Sequence, residues 1–286
     1  MTDGFLARLG ARTRRVGSVL CLGIDPDPAS LPDGFGGDVA GVEAFCRLLL
    51  DAGMPRAAAV KPNLAFFEAL GTDGMRALER IRAAIPADVP VIADAKRGDI
   101  GSTAARHAVA LYDVLGADAL TASPYLGSEA IAPLLERVDR FVYVLCRTSN
   151  PGASELQDLR VAADPAIAAP EEALYLRVAR RAVGWGPGST VGLVVGATAP
   201  AEMEAVRAVA PGLAFLVPGV GSQGGDAAAA LRHGRATAPP AGSGPGGGLL
   251  VNVSRGIAGA ATGAADPGVA IAEAAAGWAA RLPVLE

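Results

Sequence analysis

Between residues 89 and 103 the chain reads VPVIADAKRGDIGST, an apolar run that ends in Asp94, Lys96 and Asp99. Charges at the tip of a buried strand must be paired or serve a ligand, because a core cannot absorb them alone. In an extended segment side chains alternate faces, so Asp94 and Lys96 are expected to point the same way, while Gly98 lets the backbone turn and sends Asp99 off the strand end. The lysines are the informative choice. Of 25 Lys and Arg residues only Lys61 and Lys96 are lysines, and the other 23 are arginines. A guanidinium effectively never gives up its proton, whereas an ammonium is a compact charge that neighbours can tune to do so. Lysine is therefore expected where a proton must be delivered. An isolated D-x-K could equally be an ion pair tying a strand end to a loop; the assembled set of acid, base and acid argues for chemistry.

A second constellation suits an anion. Residues 217–226, VPGVGSQGGD, place bare backbone amides where a phosphate could approach, and the next helix is expected to begin there with its positive end toward the same place. Further on, Ser254-Arg255-Gly256 supplies a planar donor able to clamp phosphate oxygens from the other side. Gly219, Gly221 and Gly224 also satisfy G-x-G-x-x-G, but this dinucleotide fingerprint is set aside: Pro218 precedes it, and the acid expected about 20 residues later is replaced by a Gly/Pro tract.

Elements that could hold these residues recur along the chain. Short apolar runs at 18–24, 57–61, 89–94, 117–122, 141–146, 191–196, 213–217 and 248–253 read as strands. Helical segments follow at about 39–53, 66–85, 102–115, 127–138, 170–184, 200–210, 224–233 and 267–281. Eight βα units of near-continuous apolar strands predict an α/β fold, a (β/α)8 TIM barrel forming a single domain over 1–286. An open doubly wound sheet is the alternative, disfavoured by eight repeats without a clear switch point. A barrel gathers function at the C-terminal strand ends, where Asp25, Lys61, Asn63, Asp94, Lys96, Ser123, Arg147 to Asn150, Pro218 to Gln223 and Ser254-Arg255 fall. Outside the pattern lie a helical lead-in over the first 15 residues, a polar loop at 150–169 long enough to be a lid, and a Gly/Pro-rich tract at 234–248 expected to be a mobile surface excursion.

Composition narrows the classes. A net charge of −4, 5% aromatic residues and no basic stripe argue against a nucleic-acid partner. No window of about 18 uninterrupted apolar residues appears, so no membrane span is expected, and residues 1–15 lack the apolar core of a secretory signal. Cys21, Cys46 and Cys146 read as reduced core cysteines of a cytoplasmic protein.

With DAKRGDIGST, VKPNLAFFE, VPGVGSQGGD and NVSRG in order, nearly the whole chain resembles the orotidine 5′-phosphate decarboxylases, in their mycobacterial-type (type 2) branch. The resemblance implies decarboxylation of orotidine 5′-phosphate to uridine 5′-phosphate, the last step of de novo UMP biosynthesis, without metal or cofactor. It implies that Lys61, Asp94, Lys96 and Asp99 form an alternating charged network in which Lys96 stabilises and protonates the C6 carbanion. Asp99 and Thr103 are similar to residues donated by the neighbouring subunit of a homodimer. Asp25 resembles the ribose-hydroxyl ligand and Ser149 the pyrimidine-amide ligand; Pro218, Gln223, Ser254 and Arg255 resemble the phosphate site. Many relatives carry Gly where this chain has Ser254, which leaves the amide in place and touches only the local backbone geometry.

Other readings stay open at this stage. Asp99 or Ser102 could cap the following helix, Asp25 in IDPDP could be a turn acid, and Ser149 in SNPG a turn former. A metal-dependent sugar-phosphate lyase or aldolase shares the D-x-K-x-x-D strand, and a non-catalytic phosphate-binding barrel shares the phosphate loops. KPNLAFFE and TSNPG favour the decarboxylase over the first, and lysines kept amid arginine disfavour the second.

Overall fold

Each of the eight apolar runs forms a strand, and all pair in parallel in a computed structural model that describes residues 4–187, 189–221, 223–238 and 243–285. We number them β1 (Leu20–Ile24), β2 (Ala59–Pro62), β3 (Ile92–Arg97), β4 (Ala119–Ala122), β5 (Phe141–Arg147), β6 (Val191–Val195), β7 (Ala214–Val217) and β8 (Leu250–Val253). The order around the sheet is β2-β1-β8-β7-β6-β5-β4-β3. The remaining seam, β2 to β3, is closed by the parallel bridges Val60↔Val91 and Asn63↔Asp94. Pro62 and Pro90 have no amide to donate there, which keeps this seam to single bridges.

Burial on both faces explains the unbroken apolar strands. Residues such as Leu22, Val60, Leu120, Val142 and Leu193 pack outward against the helices, while Cys21, Ala59, Ile92, Ala119, Tyr143, Val194, Leu216 and Leu250 fill the interior. The lead-in is a helix, Phe5–Val16, and its Phe5, Leu6 and Leu9 join that interior cluster. Phe5 stacks on Phe141 with ring centroids 4.9 Å apart, so this helix plugs the N-terminal end of the barrel. Full burial of such a ring contributes roughly 1.5–3 kcal/mol.

The structure departs from expectation at several helices. The helix expected over 66–85 is two, Leu64–Glu68 and Gly71–Ala83, broken where Gly71 takes φ 67°. Gly101–Ala108 passes into a π-helical turn at Val109–Val114. The segment expected from 170 becomes helical only at Leu174–Ala182, because Glu172–Ala173 first pairs antiparallel with Arg160–Val161. That ribbon gives the 150–169 loop a frame, anchored where the buried Glu172 accepts from Arg177 (2.9 Å) and Arg180 (3.0 Å). The tract expected to run freely over the surface at 234–248 also differs: of its described residues, Ala236, Ser243 and Gly246 to Gly248 are buried. Gly10 of the lead-in helix lies so close to Ser243 that a Cβ there would stand 2.6 Å from its carbonyl oxygen. Small residues let the two segments pack together beneath the barrel.

Candidate active site

The bridge between Asn63 and Asp94 sets the ends of β2 and β3 side by side and brings three charges together. Lys61 Nζ lies 2.6 Å from Asp94 Oδ2, and Lys96 Nζ lies 2.6 Å from Asp94 Oδ1. One carboxylate thus holds two ammoniums, one on each oxygen. Burial would favour neutral forms of both Lys61 and Asp94, but their mutual field wins. Asp94, helped by Asp25, holds the Lys61 ammonium above its ordinary value despite full burial, and Lys61 with Lys96 hold the Asp94 carboxyl well below the usual range. Lys61 is 5% exposed and Lys96 52%, so the first is a fixed internal charge and the second reaches the opening.

Asp94 and Lys96 do meet, but strand alternation is not the reason. The β3–β4 register runs Ile92↔Ala119 and Ala93↔Leu120, then shifts and resumes at Arg97↔Ala122. Within this bulge Lys96 has φ 48°, a left-handed conformation uncommon for a residue with a side chain. The lysine turns back over its own strand to reach Asp94.

These groups face a cavity of about 510 Å³ at the C-terminal ends of the strands. Asp25, Lys61, Asn63, Asp94, Lys96, Ser149, Pro218, Gln223, Ser254 and Arg255 all line it. Two acceptors on its wall, Asp25 Oδ1 past β1 and Asn252 Oδ1 on β8, are buried with no hydrogen-bond partner among the described residues, a disposition suited to ligand hydroxyls. Ser149 sits in a loop pressed against Gly196, where a Cβ would lie 2.8 Å from the Ser149 backbone. Gly219, Gly221 and Gly224 have φ of 94°, 84° and 82°, so the loop after β7 takes a path that side chains would resist. The following helix starts later than expected, at Ala227, and Asp226 accepts from the Ala228 amide in its first turn. The wall also carries Arg255 and the start of the short helix Arg255–Ala258, whose first turn has no side-chain cap, a set of donors suited to an anion.

Asp99 and Thr103 are not brought to this cavity. Asp99 accepts the amide of Ile100 at 2.7 Å, and the helix that starts at Gly101 has no side-chain cap. Ser123, at the end of β4, is also outside the lining, held near the chain turn at Gly98.

Sequence reasoning gave no role to two polar residues that line the cavity, Thr121 and Asn252, and placed a third, Gln157, only in the polar loop at 150–169. Thr121 and Asn252 sit inside strands, where a β-branched or lone polar residue looks like filler, although a polar residue in an otherwise apolar barrel strand is the signal that could have found them. Gln157 crosses from the 150–169 loop to accept the Thr148 amide (2.9 Å) and donate to the Thr148 hydroxyl (2.8 Å), which fixes the turn carrying Ser149. Among the described residues, no group of three or more His, Cys, Asp or Glu side chains is placed to hold a metal ion. His107 and His233 lie on helices.

Comparison with known proteins fits this geometry. The chain is 49% identical over 254 residues to an orotidine 5′-phosphate decarboxylase of Halorubrum lacusprofundi, covering 88% of this chain and 87% of that protein. Its fold matches the solved Leishmania donovani OMP decarboxylase with a TM-score of 0.78 at 42% identity, covering 95% of both chains. It also matches the Leishmania donovani UMP synthase with a TM-score of 0.81 at 43% identity, covering 96% of this chain and 56% of that longer one. Residues 18–272 match the profile of the Orotidine 5′-phosphate decarboxylase / HUMPS family, and on the lysine-bridged carboxylate, the glycine-rich loop and these relatives together, the chain belongs to that family.

Proposed function

We infer that this protein is a carboxy-lyase that converts orotidine 5′-phosphate to uridine 5′-phosphate and CO2. The observation that carries the reading is the Lys61–Asp94–Lys96 cluster set in a cavity that Gln223, Arg255 and the glycine-rich loop after β7 also line. Breaking the bond between C6 and the carboxylate leaves an electron pair on a ring carbon. Lys96, at the opening, stabilises that charge and passes a proton from Nζ to C6, then regains one from water. Asp94 faces the departing carboxylate, a repulsion that vanishes as neutral CO2 leaves, while the preorganised ammoniums favour the charge that develops. Lys61 keeps Asp94 ionised. Arg255, Gln223 and the amides after Pro218 hold the phosphate, Ser254 stands beside Arg255, Asp25 takes a ribose hydroxyl, and Ser149 takes the pyrimidine amide. Binding energy gathered at the phosphate, remote from C6, orders the reacting end.

The working unit in this reading is a homodimer. Asp99 and Thr103 lie off their own cavity, and Ile100 (59% exposed) and Tyr125 (84%) present apolar surface near the same end, as a shared face would require. A cytoplasmic setting accords with three buried free cysteines and with no helix among the described residues long and apolar enough to cross a membrane.

The direct test is the loss of orotidine 5′-phosphate absorbance on adding purified protein, with uridine 5′-phosphate as product. This activity is expected to persist after exhaustive chelation, because both oxygens of Asp94 are already occupied by ammoniums. Loss with EDTA and recovery with Mg²⁺ would instead favour a metal-dependent aldolase.

Gly196→Ala gives a check on the pyrimidine end. The new methyl group must displace the Ser149 backbone, 2.8 Å away, rather than a flexible tip. KM is expected to rise about tenfold, in line with overpacking costs of roughly 1–3 kcal/mol, with kcat less affected. An unchanged KM would separate Ser149 from substrate recognition.

A further inference from the structure

At the bulge in β3, three residues, Asp94 to Lys96, stand opposite a single residue of β4, Thr121. The ordinary ladder is lost there, and two successive amides, those of Ala95 and Lys96, need another acceptor. Both find the same atom: Thr121 Oγ1 accepts from Ala95 N at 3.1 Å and from Lys96 N at 2.9 Å. The hydroxyl then donates its hydrogen to Asp94 Oδ1 at 2.9 Å, the oxygen that Lys96 Nζ also contacts. Its one hydrogen and both lone pairs are thereby used. Thr121 itself is 2% exposed, and its backbone stays in register with Tyr143 on β5, so the brace stands on a rigid strand.

We propose that Thr121 is a positioning residue for the decarboxylation: its hydroxyl replaces the ladder bonds missing at the bulge, holds Lys96 in its left-handed turn, and fixes the Asp94 carboxylate beneath the Lys96 ammonium. A conformation of this kind persists only where the surroundings over-determine it. On one side β4 supplies no backbone partner between Ala93 and Arg97, and on the other the bridge from Asn63 reaches only Asp94, so the constraint on Ala95 and Lys96 comes from this side chain. Release of the two amides frees Lys96 to leave its left-handed conformation, which shifts its ammonium from the position set beside Asp94. The phosphate and pyrimidine contacts lie on other strands and stay in place. This inference rests on the decarboxylase reading.

The test compares Thr121→Val, which keeps the shape and removes the hydroxyl, with Thr121→Ser, which keeps the hydroxyl. The Val protein is expected to lose at least about tenfold in kcat with KM within about threefold of wild type, and the Ser protein to stay within about threefold in both, the split that a lost alignment at the reacting atoms produces. A folded Val variant retaining more than about half of wild-type kcat overturns the proposal. So does a Ser variant as impaired as Val, or a Val variant whose loss lies in KM instead of kcat. Should the Val protein not fold, Thr121→Cys against Thr121→Ser decides: the thiol is a poor acceptor, and Cys turnover above about half that of Ser overturns the proposal. Wild-type turnover in the same assay separates the two readings. An inactive wild type removes the decarboxylase assignment and this inference with it, whereas an active wild type with an undiminished Val variant removes only the role of Thr121.

Discussion

Lys96→Arg is expected to lower turnover by several orders of magnitude while leaving the fold intact. The substitution keeps a positive charge beside Asp94 but replaces a compact, releasable ammonium by a broad guanidinium that holds its proton. Proton delivery and placed charge are each worth roughly 10² or more, and both are lost. The side chain is half exposed, so the larger head group has room and stability should change little. The measurement is kcat on orotidine 5′-phosphate alongside a thermal melt. An Arg variant retaining more than about a tenth of wild-type turnover would show that charge alone suffices.

Equally large is the effect expected from mixing two dead proteins. Lys96→Ala and Asp99→Ala should each be inactive as homodimers; co-expressed, they should recover roughly a quarter of wild-type activity. The figure follows from counting. Random pairing makes about half the dimers mixed, and in each of these one site combines intact Lys96 from one chain with intact Asp99 from its partner. The placement of Asp99 outside its own cavity motivates the experiment. If Asp99 serves its own chain, every site keeps one lesion, and verified mixed dimers stay silent.

How much of this was legible in the sequence differs by element, for physical reasons. The barrel strands were readable because burial on both faces demands continuous apolar runs, and each run sits within a few residues of its strand. The lysines stood out against 23 arginines. The way Lys96 meets Asp94 was not readable: a lysine at positive φ carries no compositional mark, and only the neighbouring strand reveals the bulge. Glu172 fell within the helix expected from 170 because the segment there is rich in Ala, Leu and Arg, whereas in the fold Arg177 and Arg180 hold its carboxylate while its backbone pairs in a ribbon. The 234–248 tract looked free because small residues signal flexibility in sequence, whereas here Ser243 and its neighbouring glycines allow close approach to the lead-in helix. Thr121 was hidden by its ordinariness in a strand.

The plug formed by Phe5, Leu6 and Leu9 makes the barrel a vessel with one opening. Below Lys61 the interior is packed with Cys21, Ile92, Phe141 and Tyr143, leaving no wet route to the opposite face among the described residues. Substrate entry, escape of the gas released and the return of a proton to Lys96 must then share a single doorway. A substrate seated in that doorway stands between Lys96 and bulk water, so in the proposed reaction the ammonium is recharged once the product has left.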